Sequence, residues 1–540
     1  MRNLNLVLFT LGVSFAVLMS VPFLIPHAGL VALVGFVPLL LMDAVADAHG
    51  VKRFFWWYYG AFVLWNAFAT FWVCNATVGG GIFAVLANAA QMALIWALFR
   101  ASKKHFNDIL SYVFLAVMWI AWEKFYFSAE ISWPWLVLGN SFARSIRCIQ
   151  WYEYTGTLGG SMWILVSNIW LFLLLKSLMQ GTFHSLNIPA RAASAGLYVV
   201  LVAAPLFVSA NLYRNCDESS ETLDVVIAQP DFDPYEKFQS LSQNQQNVIL
   251  LDLFEKGLKG YMPGGGPTLL LAPETFTSDI VVGRHESSPT WNRFHQFLQD
   301  YPDANLLFGA STFEHFQSEK SPSYTARKLK DGSWYESHNS ALIMDGEGRT
   351  EIFHKSKLVV GVELTPYPAV FTKLDNLLGG VMGRCVGQDS VTVLHCKAGD
   401  IDIPIGSIVC YESVYGEYCT DYVKAGARAL AVITNDAWWG DTPGYRQHLS
   451  YSCLRAVETR RDIARCANTG ISAFIDNRGD IVSESQWWQA EVLSGSIHLN
   501  DRVTFFVSHG DMVGRVCTFM FILIMLSWMV RILTQKKREA

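Results

Sequence analysis

Three side chains, each at or just past the end of a strand-like run, could together carry out acyl transfer. Glu274 follows TLLLAP, Lys355 follows EIFH, and Cys410 closes DIPIGSIVC. A thiol is a nucleophile once deprotonated, and a nearby cation lowers its pKa. A carboxylate can take that proton and later return or remove one as general acid and base. An ammonium can stabilise the oxyanion of a tetrahedral intermediate. Each residue also has a plain structural reading, the cysteine as buried filler and the Glu and Lys as solvated groups beside a strand.

Residues 222–500 supply the elements that must position these groups. Strands are expected at 223–229, 268–272, 305–311, 341–345, 402–410, 429–434, 470–476 and 492–498, and helices at 236–259, 288–301, 413–426 and 443–460. Such alternation predicts an α/β layered domain, long enough to hold its own core. In layered α/β sheets ligands collect at the carboxyl ends of strands, where Glu274, Lys355 and Cys410 can converge. The PGGGP run at 263–267 reads as a turn before a strand. With no GxGxxG and no helix following, it is not a phosphate loop.

The remainder of the chain is of another kind. Of the 540 residues, 52% are hydrophobic and 16% charged, against about 25% charged in soluble domains. Only 17 charged residues fall in residues 1–210, about 8% of that stretch, against about 21% beyond it. Apolar runs lie near 5–25, 27–47, 54–75, 79–99, 109–128, 161–179, 192–211 and 512–532. Each approaches the length of about 20 residues that crosses a hydrocarbon core. The expected organisation is a membrane domain of seven transmembrane helices over 1–211, a catalytic domain over 222–500 and a C-terminal transmembrane helix over 512–532. The first run follows Arg2 but lacks a small-x-small cleavage site and is succeeded at once by further spans, so it is read as retained.

Basic residues fall on alternate connections: Arg2, Lys52-Arg53, Arg100 to Lys104, the 176–191 loop and the tail from Arg531 to Arg538. That pattern places both termini on the cytoplasmic side and residues 212–508 on the opposite face. The 124–160 connection departs from it with Lys124, Arg144 and Arg147, among the aromatic residues Trp133, Trp135 and Trp151 to Tyr154. Those rings read as an interfacial belt or as substrate contacts. A net charge of −5 and the lack of a Lys/Arg-rich stripe exclude a nucleic-acid binder. The ten cysteines are dispersed and the 13 histidines show no HExxH, so neither a disulfide framework, a metal nor a cofactor is expected.

Five ordered strings carry a family resemblance: APETF (272–276), FHKSKLVVGVE (353–363), IVCYES (408–413), TNDAWWGD (434–441) and ANTGISAFIDNRGDI (467–481). The first three resemble the Glu, Lys and Cys segments of the nitrilase superfamily. With seven spans before this domain and one after it, the whole chain resembles the bacterial apolipoprotein N-acyltransferase family. The resemblance implies a multi-span α-helical membrane domain plus an α/β nitrilase-like layered (αββα) sandwich, in the bacterial inner membrane with the sandwich on the periplasmic side. It implies a monomer whose cysteine takes an acyl chain from a membrane phospholipid and passes it to the α-amino group of a diacylglyceryl-apolipoprotein.

Carried over to this sequence, the resemblance makes Cys410 the nucleophile, Glu274 the general base and Lys355 the oxyanion stabiliser. Glu363 matches a second, supporting glutamate; Tyr411 and Glu412 match the pair that shapes the acyl site; and Phe238 stands where a loop tryptophan is usual. Three departures stand out. LVVGVE replaces LVPFGE, a second lysine, Lys357, contests the role of Lys355, and Phe238 lacks an indole N–H. The apolar stretch 366–383 reads either as a lid whose Phe371, Leu374, Leu377, Leu378, Val381 and Met382 admit acyl chains, or as a loop packed on the domain's own core. Trp438 and Trp439 border a lipid pocket or pack a sheet edge. A membrane-tethered amidase and a non-catalytic scaffold for a polyprenol glycosyltransferase are the alternative readings.

Overall fold

The computed structural model describes residues 2–185, 187–233, 241–260, 266–377 and 382–539. Two compact units emerge: Met1–Ala129, Trp133–Asn215 and His509–Ala540 form one, and Glu130–Ser132 with Cys216–Ser508 form the other.

The first unit is helical. Among the described residues, seven helices are long and apolar enough to cross a membrane: Asn3–Leu24, Gly29–Ala48, Val78–Ser102, Asp108–Tyr126, Tyr152–Met179, Ile188–Arg214 and Met512–Thr534. The run expected at 54–75 differs. It forms the helix Phe55–Thr70 of 16 residues, then the short helix Val73–Ala76. Sixteen residues reach about 24 Å at 1.5 Å per residue, short of a hydrocarbon core of about 30 Å. Within this unit Arg100 and Lys103 pair with Asp43 and Asp47. Trp135 is fully buried, packed on Trp133 and Trp72, so this ring serves the unit's interior rather than an interfacial belt.

Among the described residues the second unit holds fourteen strands: β1 (Thr222–Gln229), β2 (Thr268–Leu271), β3 (Thr277–Val281), β4 (Ala304–Phe316), β5 (Arg327–Lys328), β6 (Trp334–Met344), β7 (Thr350–His354), β8 (Val393–Ala398), β9 (Ile401–Val409), β10 (Ala429–Thr434), β11 (Ile463–Ala467), β12 (Ala473–Ile475), β13 (Ile481–Glu484) and β14 (Glu491–His498). One sheet runs β14-β1-β2-β4-β6-β5, with β3 beside β4 and β7 beside β6; the other runs β13-β12-β11-β10-β9-β8. In each sheet three adjacent strands are parallel, β1-β2-β4 and β9-β10-β11; β3 also pairs parallel with β4, and the other pairings are antiparallel. The parallel strands are buried on both faces and read as nearly continuous apolar runs, LDVVIAQ, TLLL and ALAVIT.

Helices Gln243–Gly260 and Pro289–Gln299 cover the first sheet, while Gly416–Lys424 and Pro443–Thr459 cover the second. The result is a four-layer αββα sandwich. Its outer core on the first sheet gathers Phe254, Leu270, Phe276, Phe294, Phe308 and Leu342, each nearly or wholly buried. Between the sheets, Asn305 of β4 exchanges two hydrogen bonds with the Lys397 backbone of β8, and the Cys466 thiol of β11 donates to the Ala228 carbonyl of β1. The stretch 366–383 contains the helix Pro368–Leu377, on which Val370 is 65% exposed and Phe371 half-buried; Leu378 and Val381 lie outside the described residues.

Phe294 touches the rings of both Phe276 and Phe308. Truncation of such a ring removes about 3–5 kcal/mol. Phe294→Ala is therefore expected to lower the thermal unfolding midpoint of the full chain by several degrees, measured by light scattering and intrinsic fluorescence in detergent.

Candidate active site

Glu274 stands three residues beyond the end of β2, where the chain crosses β4 closely. A Cβ added at Gly309 of β4 would lie 2.5 Å from the Glu274 Cα, so only glycine allows this approach. Lys355 follows β7 directly and is 1% exposed, whereas Glu274 is 6% exposed. The Lys355 Nζ donates to Glu274 Oε1 at 3.0 Å and to Glu363 Oε1 at 3.0 Å. Asn339, from β6, donates through Nδ2 to the same two oxygens at 2.7 and 2.6 Å. Both donors thus bridge the two carboxylates. The second oxygens are held by backbone: Asn435 N–H donates to Glu274 Oε2 at 3.1 Å and Val359 N–H to Glu363 Oε2 at 2.8 Å. Burial acts to lower the Lys355 pKa, but Glu274, Glu363 and Cys410 outweigh it and hold the ammonium well above its ordinary value.

Cys410 comes from the other sheet, immediately after β9. Its φ is +53°, in the left-handed region that non-glycine residues rarely occupy. Burial and the Glu274 carboxylate push its thiol well above the ordinary range, against the opposing pull of Lys355. A resting thiol of this kind keeps its proton and needs a base to take it during attack.

The backbone turn at Cys410 is braced from behind. His448 Nε2 lies 3.0 Å from the Cys410 carbonyl oxygen, and Ser413 Oγ donates to the same oxygen at 2.8 Å. His448 Nδ1 meets Asp436 Oδ1 at 2.8 Å, and the Arg465 guanidinium pairs with the other Asp436 oxygen. Burial would raise the Asp436 carboxyl, yet His448 and Arg465 hold it below the usual carboxylate range. Cys410, Asp436 and His448 have donor atoms within 4.8 Å of one another, a spacing compatible with a metal. Both His448 nitrogens and both Asp436 oxygens are already engaged, however, so the group reads as a support for the cysteine turn.

Glu412 is wholly buried. It accepts from the backbone N–H groups of Ser356 (2.7 Å), Lys357 (3.2 Å) and Val409 (2.8 Å), and from the hydroxyls of Tyr418 (2.9 Å) and Tyr422 (3.4 Å). The carboxylate therefore fastens the loop after Lys355 to the loop that carries Cys410. Tyr411 donates through its hydroxyl to the Ser132 carbonyl at 3.2 Å, and Tyr415 meets the Ser132 hydroxyl at 2.9 Å. Glu130 accepts from the Tyr367 N–H at 2.6 Å. Three residues of the 124–160 connection, Glu130–Ser132, thus belong to the second unit.

Of the two lysines, only Lys355 meets the glutamates. Lys357 instead places its ammonium 5.5 Å from the ring centres of Tyr415 and Tyr418. Trp439 packs edge-on to His448 at 5.4 Å, and Trp438 is 41% exposed. Phe238 and Leu378 lie outside the described residues. Asn339, His448 and Arg465 are absent from the sequence reading. A sequence signal existed for Asn339, since the polar run SHNS interrupts an otherwise apolar strand. His448 and Arg465 reach the site only through tertiary packing.

Comparison with known proteins covers both units. The carbon-nitrogen hydrolase family profile matches residues 264–504, and the profile for the apolipoprotein N-acyltransferase N-terminal domain matches residues 15–170. The chain is similar to the apolipoprotein N-acyltransferase of Chlorobaculum tepidum, at 29% identity over 94% of this chain and 92% of that protein. It is similar to that of Geobacter metallireducens at 26% identity, covering 94% and 93%. Apolipoprotein N-acyltransferase 2 of Treponema denticola is 24% identical over 89% of each chain.

If Lys355 tunes the thiol, its loss slows thiolate chemistry. Alkylation of Cys410 by iodoacetamide, followed by mass spectrometry, is expected to slow by about tenfold or more in Lys355→Met, as the thiol loses its neighbouring cation. Lys357→Met is expected to react at close to the native rate.

Proposed function

Because the chain belongs to the apolipoprotein N-acyltransferase family, we propose that it moves an acyl chain from a membrane phospholipid, through a thioester on Cys410, to the α-amino group of a diacylglyceryl-apolipoprotein. The observation that carries this mechanism is the Lys355 ammonium held between Glu274 and Glu363, with Cys410 electrostatically coupled to both Lys355 and Glu274.

In the first half-reaction Glu274 takes the thiol proton as Sγ bonds to the ester carbonyl carbon. Lys355 faces the oxygen that gains charge, where a preorganised cation is worth most. Collapse breaks the ester C–O bond, and Glu274 returns the proton to the departing alkoxide. In the second half-reaction the amine nitrogen attacks the thioester carbon and gives a proton to Glu274. The C–S bond then breaks and the thiolate recovers that proton. An α-amino group has an ordinary pKa of about 7.7–8.0, so a base is required in this step as well. Glu363 and Asn339 keep Lys355 and Glu274 in place, and Glu412 keeps the cysteine and lysine loops in register.

A thioester must outlast its exposure to water, and apolar surroundings exclude water. Phe371, Trp438 and Trp439 are assigned to the acyl-chain path, joined by Leu378 on the apolar character of the stretch 366–383 and by Phe238 on the strength of the resemblance. The exposed Val370 and the half-buried Phe371 lie on the helix Pro368–Leu377, which is assigned to the membrane surface. The proposed topology counts Phe55–Thr70, continued through Val73–Ala76, as a crossing, which makes eight. Both termini then lie in the cytoplasm, and the membrane domain of residues 1–211 and the span at 512–532 hold the catalytic domain of residues 222–500 at the outer leaflet as a monomer.

The test is intact mass spectrometry of the full chain in detergent with phosphatidylethanolamine. An acyl adduct on Cys410 is expected that is absent from Cys410→Ser and disappears onto a synthetic diacylglyceryl peptide. Glu274→Gln is expected to slow adduct formation by about 10²–10⁴-fold. An adduct that only hydrolyses would make the chain an amidase, and no adduct in the native protein would remove the catalytic assignment.

A further inference from the structure

Glu314 and Glu336 face each other directly across the antiparallel β4-β6 ladder. Like charges so paired are destabilising. Among the described residues neither carboxylate lies within ion-pair distance of a lysine or arginine; their neighbour is His338, whose Nε2 is 3.9 Å from Glu314 Oε2. His338 is 5% exposed, and its Nε2 is buried without a hydrogen-bond partner. Its Nδ1 lies 2.9 Å from the Val386 carbonyl oxygen. A carbonyl only accepts, so Nδ1 carries a proton, and Nε2 is the ring nitrogen that faces the two carboxylates. One ring nitrogen donating to a backbone carbonyl while the other is free to ligate is the arrangement of a metal-binding histidine.

We propose that Glu314, Glu336 and His338 form a binding site for a first-row divalent cation. The ligand atoms lie within 4.8 Å of one another. Donors sharing an ion at about 2.1 Å each stand at most about 4.2 Å apart, so a sub-ångström closure completes the set. The Glu314 side chain is 45% exposed and free to make that adjustment. One imidazole and two carboxylates, without a thiolate, suit Mn²⁺ or Zn²⁺, with water filling the remaining positions. Side chains alternate along a strand, so the ion sits on the face of β6 opposite Asn339. It offsets the repulsion between the two glutamates and fixes the strand from which Asn339 reaches Glu274 and Glu363. The site stands apart from the acyl-transfer chemistry and does not depend on it.

The experiment uses the full chain in detergent, stripped with a chelator and titrated with Mn²⁺ under electron paramagnetic resonance. One Mn²⁺ per chain is expected, with modulation from an imidazole nitrogen. Glu314→Gln and Glu336→Gln, near-isosteric and at positions open to solvent, are expected to weaken binding by about tenfold or more. His338→Gln is expected to abolish the nitrogen modulation. Absence of binding at millimolar Mn²⁺ would overturn the proposal. Binding unchanged in both glutamine variants, or nitrogen modulation that survives His338→Gln, would overturn it equally.

Discussion

The Lys355 ammonium is 1% exposed, and an ion taken that far out of water costs several kcal/mol unless charge and hydrogen bonds are returned to it. Two carboxylates return the charge, and they must approach each other closely to do so. Asn339 reduces their mutual repulsion by donating to an oxygen of each, and backbone N–H groups of Asn435 and Val359 hold the outer oxygens. The geometry of the first sheet follows from this need. Gly309 lets the Glu274 backbone lie against β4, and β6 and β7 bring Asn339 and Lys355 to the same end.

The second sheet answers a different demand, which is to present one sulfur to that charged cluster without letting its backbone relax. The turn at Cys410 is gripped through its carbonyl oxygen by Ser413 and His448, with Asp436 and Arg465 behind. Glu412 links the two sheets' contributions. Its grip on the two loops is through backbone N–H groups of Ser356, Lys357 and Val409, so it fixes their relative position whatever side chains they carry, while the Tyr418 and Tyr422 hydroxyls hold the carboxylate itself.

Much of this was legible in the chain because parallel strands buried on both faces leave unbroken apolar runs. TLLLA and ALAVIT mark β2 and β10 almost to the residue. The strands β3, β8, β11 and β13 escaped notice; they are short or mixed in polarity, as in TSDIV and IARCA, and are held in place by neighbours rather than by pattern. The proposed trio of Glu274, Lys355 and Cys410 could be picked out because each stands at or just beyond the end of a strand. The residues that orient it were not, since His448 and Arg465 lie 38 and 55 positions beyond Cys410 and meet it only after the helix Pro443–Thr459 has docked. The lysine ambiguity had the same origin. Two ammonium groups two residues apart are equivalent on paper, and the fold separates them by giving Glu274 and Glu363 to Lys355 and the Tyr415 and Tyr418 rings to Lys357.

The left-handed conformation of Cys410 bears on events after the sulfur has reacted. A residue held at φ +53° between a strand and a helical turn has no nearby low-energy basin into which attachment of a bulky group could push it. Free enzyme and modified enzyme must then share one main-chain path. On the proposed mechanism, the accommodation of a long hydrocarbon chain then falls on the surrounding side chains and loops rather than on the main chain at the sulfur.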